Sequence, residues 1–264
     1  MKERHYETIV VNQTDGAVEI VMNQPETLNA LSLTMKRELA DAIDEAIRAS
    51  DIKILVLSGA GRAFCSGANL KDMSSSTGLA YRNELRKLQD NLIARLWDSE
   101  TIVVAGVQGY AAGAGFSLAL AADLVVAEEG ATFYAPFVIG PAVVPDTGIA
   151  FLLPKVVGVS TAKKILLTGE KVSAHEAYRL GIVQTLVPTG GLRQGLDETI
   201  AALRRAAPMA LGLTKTLVHA GLNSGLDDVL ELEATLQALM RLSKDHAEGV
   251  RAFAEDRPPR FVGS

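Results

Sequence analysis

GYAAGAGFSLALAADLVVAEE, residues 109–129, joins a glycine-rich turn to the start of an apolar helix. The apolar run at 101–107 enters it as a strand, and Gly113 and Gly115 flank Ala114 where the helix should begin. Small residues there let a ligand approach the backbone closely, and the free N–H groups of a first helical turn point at any negative charge that arrives. A second unit, IKILVLSGAGRAFCSGANLKDM at 52–73, repeats the plan: an apolar strand, then a turn of small residues containing Ser66, Gly67 and Ala68. Two such turns side by side would make a pair of donors for one oxyanion. A dinucleotide fingerprint, the competing reading of the glycines, fails because Leu118 occupies its last glycine position and no acidic ribose partner follows.

Outward from these turns the pattern alternates strands and helices. Residues 7–12 and 17–22 are β-rich and separated by Gln-Thr-Asp-Gly, a hairpin signal. Ser32 is an N-cap for a helix in which Met35, Leu39, Ile43 and Ile47 recur at helical spacing. The strand at 54–57 is apolar on both faces, as a strand covered on both sides requires. Residues 81–97 place Leu85, Leu88, Leu92 and Leu96 on one helical stripe, and the polar stretch 73–78 before them is a candidate lid. Short strands at 124–127 and 132–133 precede a helix beginning near Thr147. After Pro188 the segments 191–207, 209–222 and 226–242 are helical with almost no strand signal. Periodicity alone supports an α/β fold, divided at 1–190 and 191–264.

A net charge of −5 without a basic patch argues against a nucleic-acid partner. The chain has one cysteine, Cys65, so an internal disulfide is excluded and a reducing compartment is expected. Cys65 reads as a small packed residue, since no His or second Cys stands at a useful spacing. The beginning MKERHYETIVV has no apolar leader and no 18-residue apolar run occurs, so a cytoplasmic protein without a membrane span is expected. His5, His175, His219 and His246 are not arranged with Cys, Asp or Glu as metal ligands, so no metal is expected.

Taken with PETLNALS (25–32), SAHEAYRLGIV (173–183) and EGVRAFAEDRPPRF (248–261), the two turns resemble the enoyl-CoA hydratase/isomerase, or crotonase, superfamily over nearly the whole chain. The resemblance implies a right-handed ββα spiral with a C-terminal helical region that forms trimers or dimers of trimers; a helical cap on its own domain is the alternative. It implies an acyl-CoA thioester as substrate, with coenzyme A entering as part of it and no separate cofactor. The N–H groups of Ala68 and Ala114 would hold the thioester oxygen, with Gly67, Gly113, Gly115 and Ser66 shaping the turns.

The family's two hydratase glutamates fall on Ser117 and Phe137. Neither can do acid–base work near neutral pH, which disfavours hydration. Asp146, in VVPDTG, matches the aspartate of a "PDxG" turn in the epoxyphenylacetyl-CoA isomerase subgroup, although the preceding segment is one residue longer than that pattern. There it would shuttle a proton between acyl carbons, its basicity raised by an apolar lining of Phe137, Val143 and Val144. Asp-x-Gly before an apolar helix is equally an N-cap signal. Ser117 and Tyr134 would touch the acyl group or be structural. Arg62 and Lys71 would meet the nucleotide phosphates or be ordinary solvated charges, and Glu26 and Asp256 stand where lysines are common, with Arg257 a substitute. The expected activity is isomerisation of an unsaturated acyl-CoA through an enolate. The alternatives are decarboxylation or other enolate chemistry, and a silent acyl-CoA-binding or structural subunit.

Overall fold

The computed structural model describes residues 2–14, 16–49, 51–69 and 78–264. The chain opens with β1 (Lys2–His5), β2 (Ile9–Thr14) and β3 (Ala17–Met22), then α1 (Leu33–Arg48) and β4 (Ile54–Gly59). Next come α2 (Gly78–Leu88), a π-helical turn at Gln89–Ala94, α3 (Arg95–Asp98), β5 (Ile102–Val107), β6 (Tyr110–Ala112) and α4 (Ala114–Leu120). They are followed by β7 (Leu124–Glu128), β8 (Thr132–Tyr134), α5 (Ile149–Val157), α6 (Val159–Thr168), β9 (Lys171–Ser173), α7 (Ala174–Arg179) and β10 (Thr185–Val187). Four helices complete the chain: α8 (Leu192–Leu203), α9 (Pro208–Gly221), α10 (Leu226–Met240) and α11 (Lys244–Ala254).

Among the described residues seven strands form one sheet in the order β1-β2-β3-β4-β5-β7-β10, antiparallel through β3 and parallel beyond it, while β6, β8 and β9 form a second, small sheet. The alternation of side chains along a strand splits the central strands between two covers. Leu55, Leu57, Val103, Ala105, Val107, Val125 and Ala127 enter the main core, to which α1 contributes Met35, Leu39, Ala42, Ile43 and Ala46. Ile54, Val56, Val104 and Val126 face the other way and pack with Leu196 of α8. That double cover is why β4 and β5 read as unbroken apolar runs.

The hairpin extends slightly further than expected, pairing Thr14 with Ala17. Ser32 caps α1 as its sequence suggests, its hydroxyl accepting from the Met35 N–H at 3.1 Å. The single helix expected over 81–97 is interrupted by the π-helical turn. The helix expected near Thr147 begins at Ile149, because Thr147 and Gly148 both adopt left-handed backbone (φ 50° and 81°). Buried Lys215 of α9 ties the C-terminal helices to the spiral, with its Nζ 3.0 Å from Asp123 and 2.7 Å from the Leu96 carbonyl. No helix among the described residues is long and apolar enough to cross a membrane.

Candidate active site

The turn before Ala68 and the start of α4 are pinned to each other by main-chain bonds. Phe64 N–H donates to Gln108 O at 2.8 Å, Cys65 N–H to Tyr110 O at 3.0 Å, and Ala112 N–H to Cys65 O at 2.9 Å. Asn29, fully buried within PETLNALS, braces the same turn from the other side. Its Nδ2 donates to the carbonyls of Ala60 and Ala63 at 2.9 and 2.8 Å, and its Oδ1 accepts from Gln24 N–H. Gly67 (φ 97°) permits a close approach: a Cβ there would stand 2.7 Å from Ala112 O and 3.5 Å from Ala114 N. Gly115 has a packing reason of its own, since a Cβ on it would collide with the Cys65 carbonyl. Among the described residues neither the Ala68 nor the Ala114 N–H has a hydrogen-bond acceptor. Two free main-chain donors therefore lie at adjacent turns.

Both turns open on a cavity of about 850 Å³, which Ser66, Gly67, Ala68, Gly113 and Ala114 line at the backbone. That is ample for an acyl chain. Phe137, Pro141 and Val143 supply apolar wall, and α2 contributes Tyr81, Leu85 and Leu88 with the exposed Glu84. Asp146 and Thr147 also line it, as does Lys36 of α1. Val144, expected beside them, is instead 78% exposed.

Asp146 does not cap α5. The N-cap is Gly148, with no side-chain capping bond, and the contribution of Asp146 is its carbonyl, which accepts from Ile149 N–H at 3.3 Å. Its carboxyl is held by the Thr147 hydroxyl at 3.2 Å. Burial pushes its pKa above the ordinary aspartate value, against the opposing pull of the Thr147 hydroxyl and the Lys36 charge. Tyr81 is pushed up as well, by burial and then by the negative charge of Asp146.

Other expected contacts are not brought together. Ser117 is fully buried and reaches the site only through Thr147, whose hydroxyl lies 2.8 Å from its own. Tyr134 and Arg62 are not among the cavity-lining residues. The Tyr134 ring lies beneath Lys171, and its carbonyl accepts the Gly113 N–H at 2.8 Å, so it fixes the turn through main chain. Arg62 is exposed, and Lys71 and the candidate lid up to residue 77 lie outside the described residues. Arg257 is engaged by Glu248 and Glu255 rather than standing ready for a nucleotide. Cys65 is fully buried, its thiol pushed up to about 12 by burial, and is therefore not a nucleophile. Among the described residues no group of three or more His, Cys, Asp or Glu side chains is placed to hold a metal ion.

This arrangement has close counterparts. The sequence profile of the enoyl-CoA hydratase/isomerase family matches residues 12–264. The chain belongs to that family. A Rhodobacter capsulatus protein named "probable enoyl-CoA hydratase" is 39% identical over 98% of this chain and 99% of its own. The 1,2-epoxyphenylacetyl-CoA isomerase of Escherichia coli is 34% identical over 97% and 99%. The crystal structure of an enoyl-CoA hydratase from Bacillus anthracis superposes with a TM-score of 0.92 at 29% identity, over 98% of this chain and all of that one. The protein is thus an acyl-CoA-processing enzyme of the enoyl-CoA hydratase/isomerase family with a crotonase fold. Relatives named for hydration and for isomerisation are both similar to it at this level.

Sequence reasoning missed Thr147, Tyr81 and Lys36. Tyr81 carried a signal, since it stands four residues before Leu85 on the same helical stripe. Thr147 carried none, because its place depends on a left-handed backbone that its residue type does not announce.

Proposed function

We propose that the protein isomerises unsaturated acyl-CoA thioesters by a 1,3-proton shift. The Ala68 and Ala114 N–H groups hold the thioester oxygen, and Asp146 takes a proton from one acyl carbon. The electron pair left behind delocalises onto the thioester oxygen as an enolate, and Asp146, whose acquired proton exchanges in part with solvent, returns a proton to the carbon two positions away. Atoms and charge balance without a metal or a separate cofactor; coenzyme A enters only as the substrate's carrier. The observation that carries the reading is the pairing of the Asp146 carboxyl with two free main-chain donors around one cavity, while the hydratase positions hold a buried serine and an apolar wall. A thioester α-proton is far too weakly acidic for a bare carboxylate, and one well-placed oxyanion donor lowers such a barrier by about 3–4 kcal/mol. Desolvation of Asp146 adds to its strength as a base.

The test uses trans-3-hexenoyl-CoA in deuterated water, followed by mass spectrometry. The wild type is expected to move the double bond and incorporate deuterium. Asp146→Asn should bind the thioester about as tightly and lose both activities by about 10²-fold or more. Undiminished turnover by that variant removes Asp146 from the mechanism. Crotonyl-CoA hydration should be very slow, and a rate near ~10² per second would overturn the isomerase reading, directing attention to Glu84 as a second carboxylate.

We further infer that the region 191–264 assembles the chain into a trimer or a dimer of trimers. Leu226, Leu230 and Leu239 of α10 and Phe253 of α11 are 73%, 49%, 52% and 90% exposed, an apolar surface large for a lone chain.

A further inference from the structure

Thr147 is a β-branched residue in left-handed backbone (φ 50°), 3% exposed, between the proposed base and a fully buried serine. Such strain persists only where surrounding structure enforces it, and it points to a role. The strain sets the Thr147 hydroxyl between two oxygens: 3.2 Å from Asp146 Oδ1 and 2.8 Å from Ser117 Oγ. Ser117 Oγ in turn lies 3.5 Å from the Gly113 carbonyl, one residue before the Ala114 donor.

We propose that Ser117 and Thr147 form a reversible hydroxyl chain that positions the Asp146 carboxyl and satisfies it in both of its protonation states. The proposal rests on Asp146 acting as the proton-transferring group. Each hydroxyl owns one proton, so the chain can point only one way at a time. When Asp146 is ionised, Ser117 donates to Thr147 and Thr147 donates to the carboxylate. When Asp146 is protonated, its hydroxyl turns between the acyl carbon, where the proton is delivered, and Thr147; while it donates to Thr147, Thr147 donates to Ser117 and Ser117 donates to the Gly113 carbonyl. Three oxygens stay bonded in both states, Ser117 and Thr147 keep their own protons, and hydroxyl rotations alone separate the states. A buried carboxyl without that freedom would strand an unpaired donor or acceptor in one half of the cycle. The chain therefore keeps the carboxyl aimed at the acyl carbons while its charge changes. Thr147 and Ser117 are positioning residues, acting through Asp146.

Among the described residues, the charged and titratable groups sharing the cavity with Asp146 are Lys36 from α1 and Tyr81 and Glu84 from α2; all three remain in the variants below. Thr147→Val keeps the β-branched shape and removes the hydroxyl, whereas Thr147→Ser keeps the hydroxyl. Ser117→Ala removes one buried oxygen. The first measurement needs no substrate: the full chain is labelled with ¹³C at aspartate carboxyls, the Asp146 signal is assigned by its loss in Asp146→Asn, and its midpoint is read by titration. Losing a donor to a carboxylate weakens the charged form, so Thr147→Val should raise the midpoint by about one pH unit and Ser117→Ala by about half as much. Thr147→Ser should restore the wild-type midpoint.

The second measurement is the pH profile of trans-3-hexenoyl-CoA isomerisation. The acid limb in Thr147→Val should move upward with the midpoint, giving a kcat about tenfold lower on that limb, with KM within about two-fold of wild type. An unmoved midpoint in folded Thr147→Val, or in Ser117→Ala should the valine variant not fold, overturns the chain; a lowered melting temperature alone does not rescue it. If Asp146→Asn isomerises at the wild-type rate, the base assignment fails instead, and the titration still decides the chain.

Discussion

Gly67→Ala separates the oxyanion turn from the rest of the fold more cleanly than any change to a side chain. The added Cβ meets two penalties. At φ 97° an L-residue is outside its favoured backbone regions, which costs about 1–2 kcal/mol. The Cβ would also stand 2.7 Å from the Ala112 carbonyl, so the turn must retreat by roughly 0.7 Å to reach ordinary contact at 3.4 Å. That displacement falls on the segment carrying the Ala68 N–H. Removing one oxyanion donor costs about 10²–10³ in kcat, and a misaimed donor approaches that limit. Gly158→Ala is the matched control: its φ is 78°, with nothing within 4 Å of the new Cβ, and it joins α5 to α6 away from the cavity. Both variants should melt lower by several degrees, at about 2–4 °C per kcal/mol for a chain near this size. Only Gly67→Ala should lose exchange of the α-protons of butyryl-CoA in deuterated water, by about 10²-fold, with binding by calorimetry changed far less. A folded Gly67→Ala exchanging within about two-fold of wild type would refute the assignment of the oxyanion site to this turn.

Three further outcomes are expected. Burial raises the folded-state pKa of Asp146, so its protonated form suits the fold: the stability this gives is present below the unfolded pKa near ~4 and is lost as pH rises through the folded value. Asp146→Asn should therefore melt above wild type at pH 8, with the gap closing toward pH ~4, and calorimetry showing no pH-dependent gap would contradict this. Lys215→Met strands Asp123 and two carbonyls, and should lower the melting temperature by about 10 °C, with Asp123→Asn in the same chain recovering part of it. Light scattering at micromolar concentration should give the mass of three or six chains; a stable monomer would remove the assembly proposed for 191–264.

The alternation of strands and helices was legible because its punctuation is local, whereas the ββα spiral followed only from the family resemblance. Small-residue turns after unbroken apolar strands mark both halves of the donor pair, and the alternation of Ile54, Leu55, Val56 and Leu57 between two covers explains why those strands are apolar throughout. What local sequence could not carry is direction. Tyr134 and Phe133 are neighbours on a three-residue strand, and nothing in their types says that Phe133 enters the core while the Tyr134 ring turns to Lys171. VVPDTG suits a cap as well as a base, and only the left-handed Thr147 and Gly148 take the Asp146 side chain away from the helix end. Ser117 reads from the sequence as an acyl contact or a structural serine, and its residue type does not announce the Thr147 hydroxyl 2.8 Å from its own.

The π-helical turn at Gln89–Ala94 gives the helix that contains it two separable halves. Upstream, Tyr81, Leu85 and Leu88 face the cavity; Leu92 and Ile93 within the turn and Leu96 beyond it are buried in the core. A wide turn accommodates one residue more than an α-helix would, and each residue advances the helix by about 100°. Deleting that extra residue would close the turn into ordinary α-helix with both halves keeping their faces, whereas inserting one residue after Leu88 would swing the upstream half by about 100° and replace the cavity wall wholesale. Leaving it intact lets positions 81, 85 and 88 be exchanged for those of another acyl preference while the downstream anchor keeps its register, so this short stretch works as a swivel on which new substrate walls can be grafted.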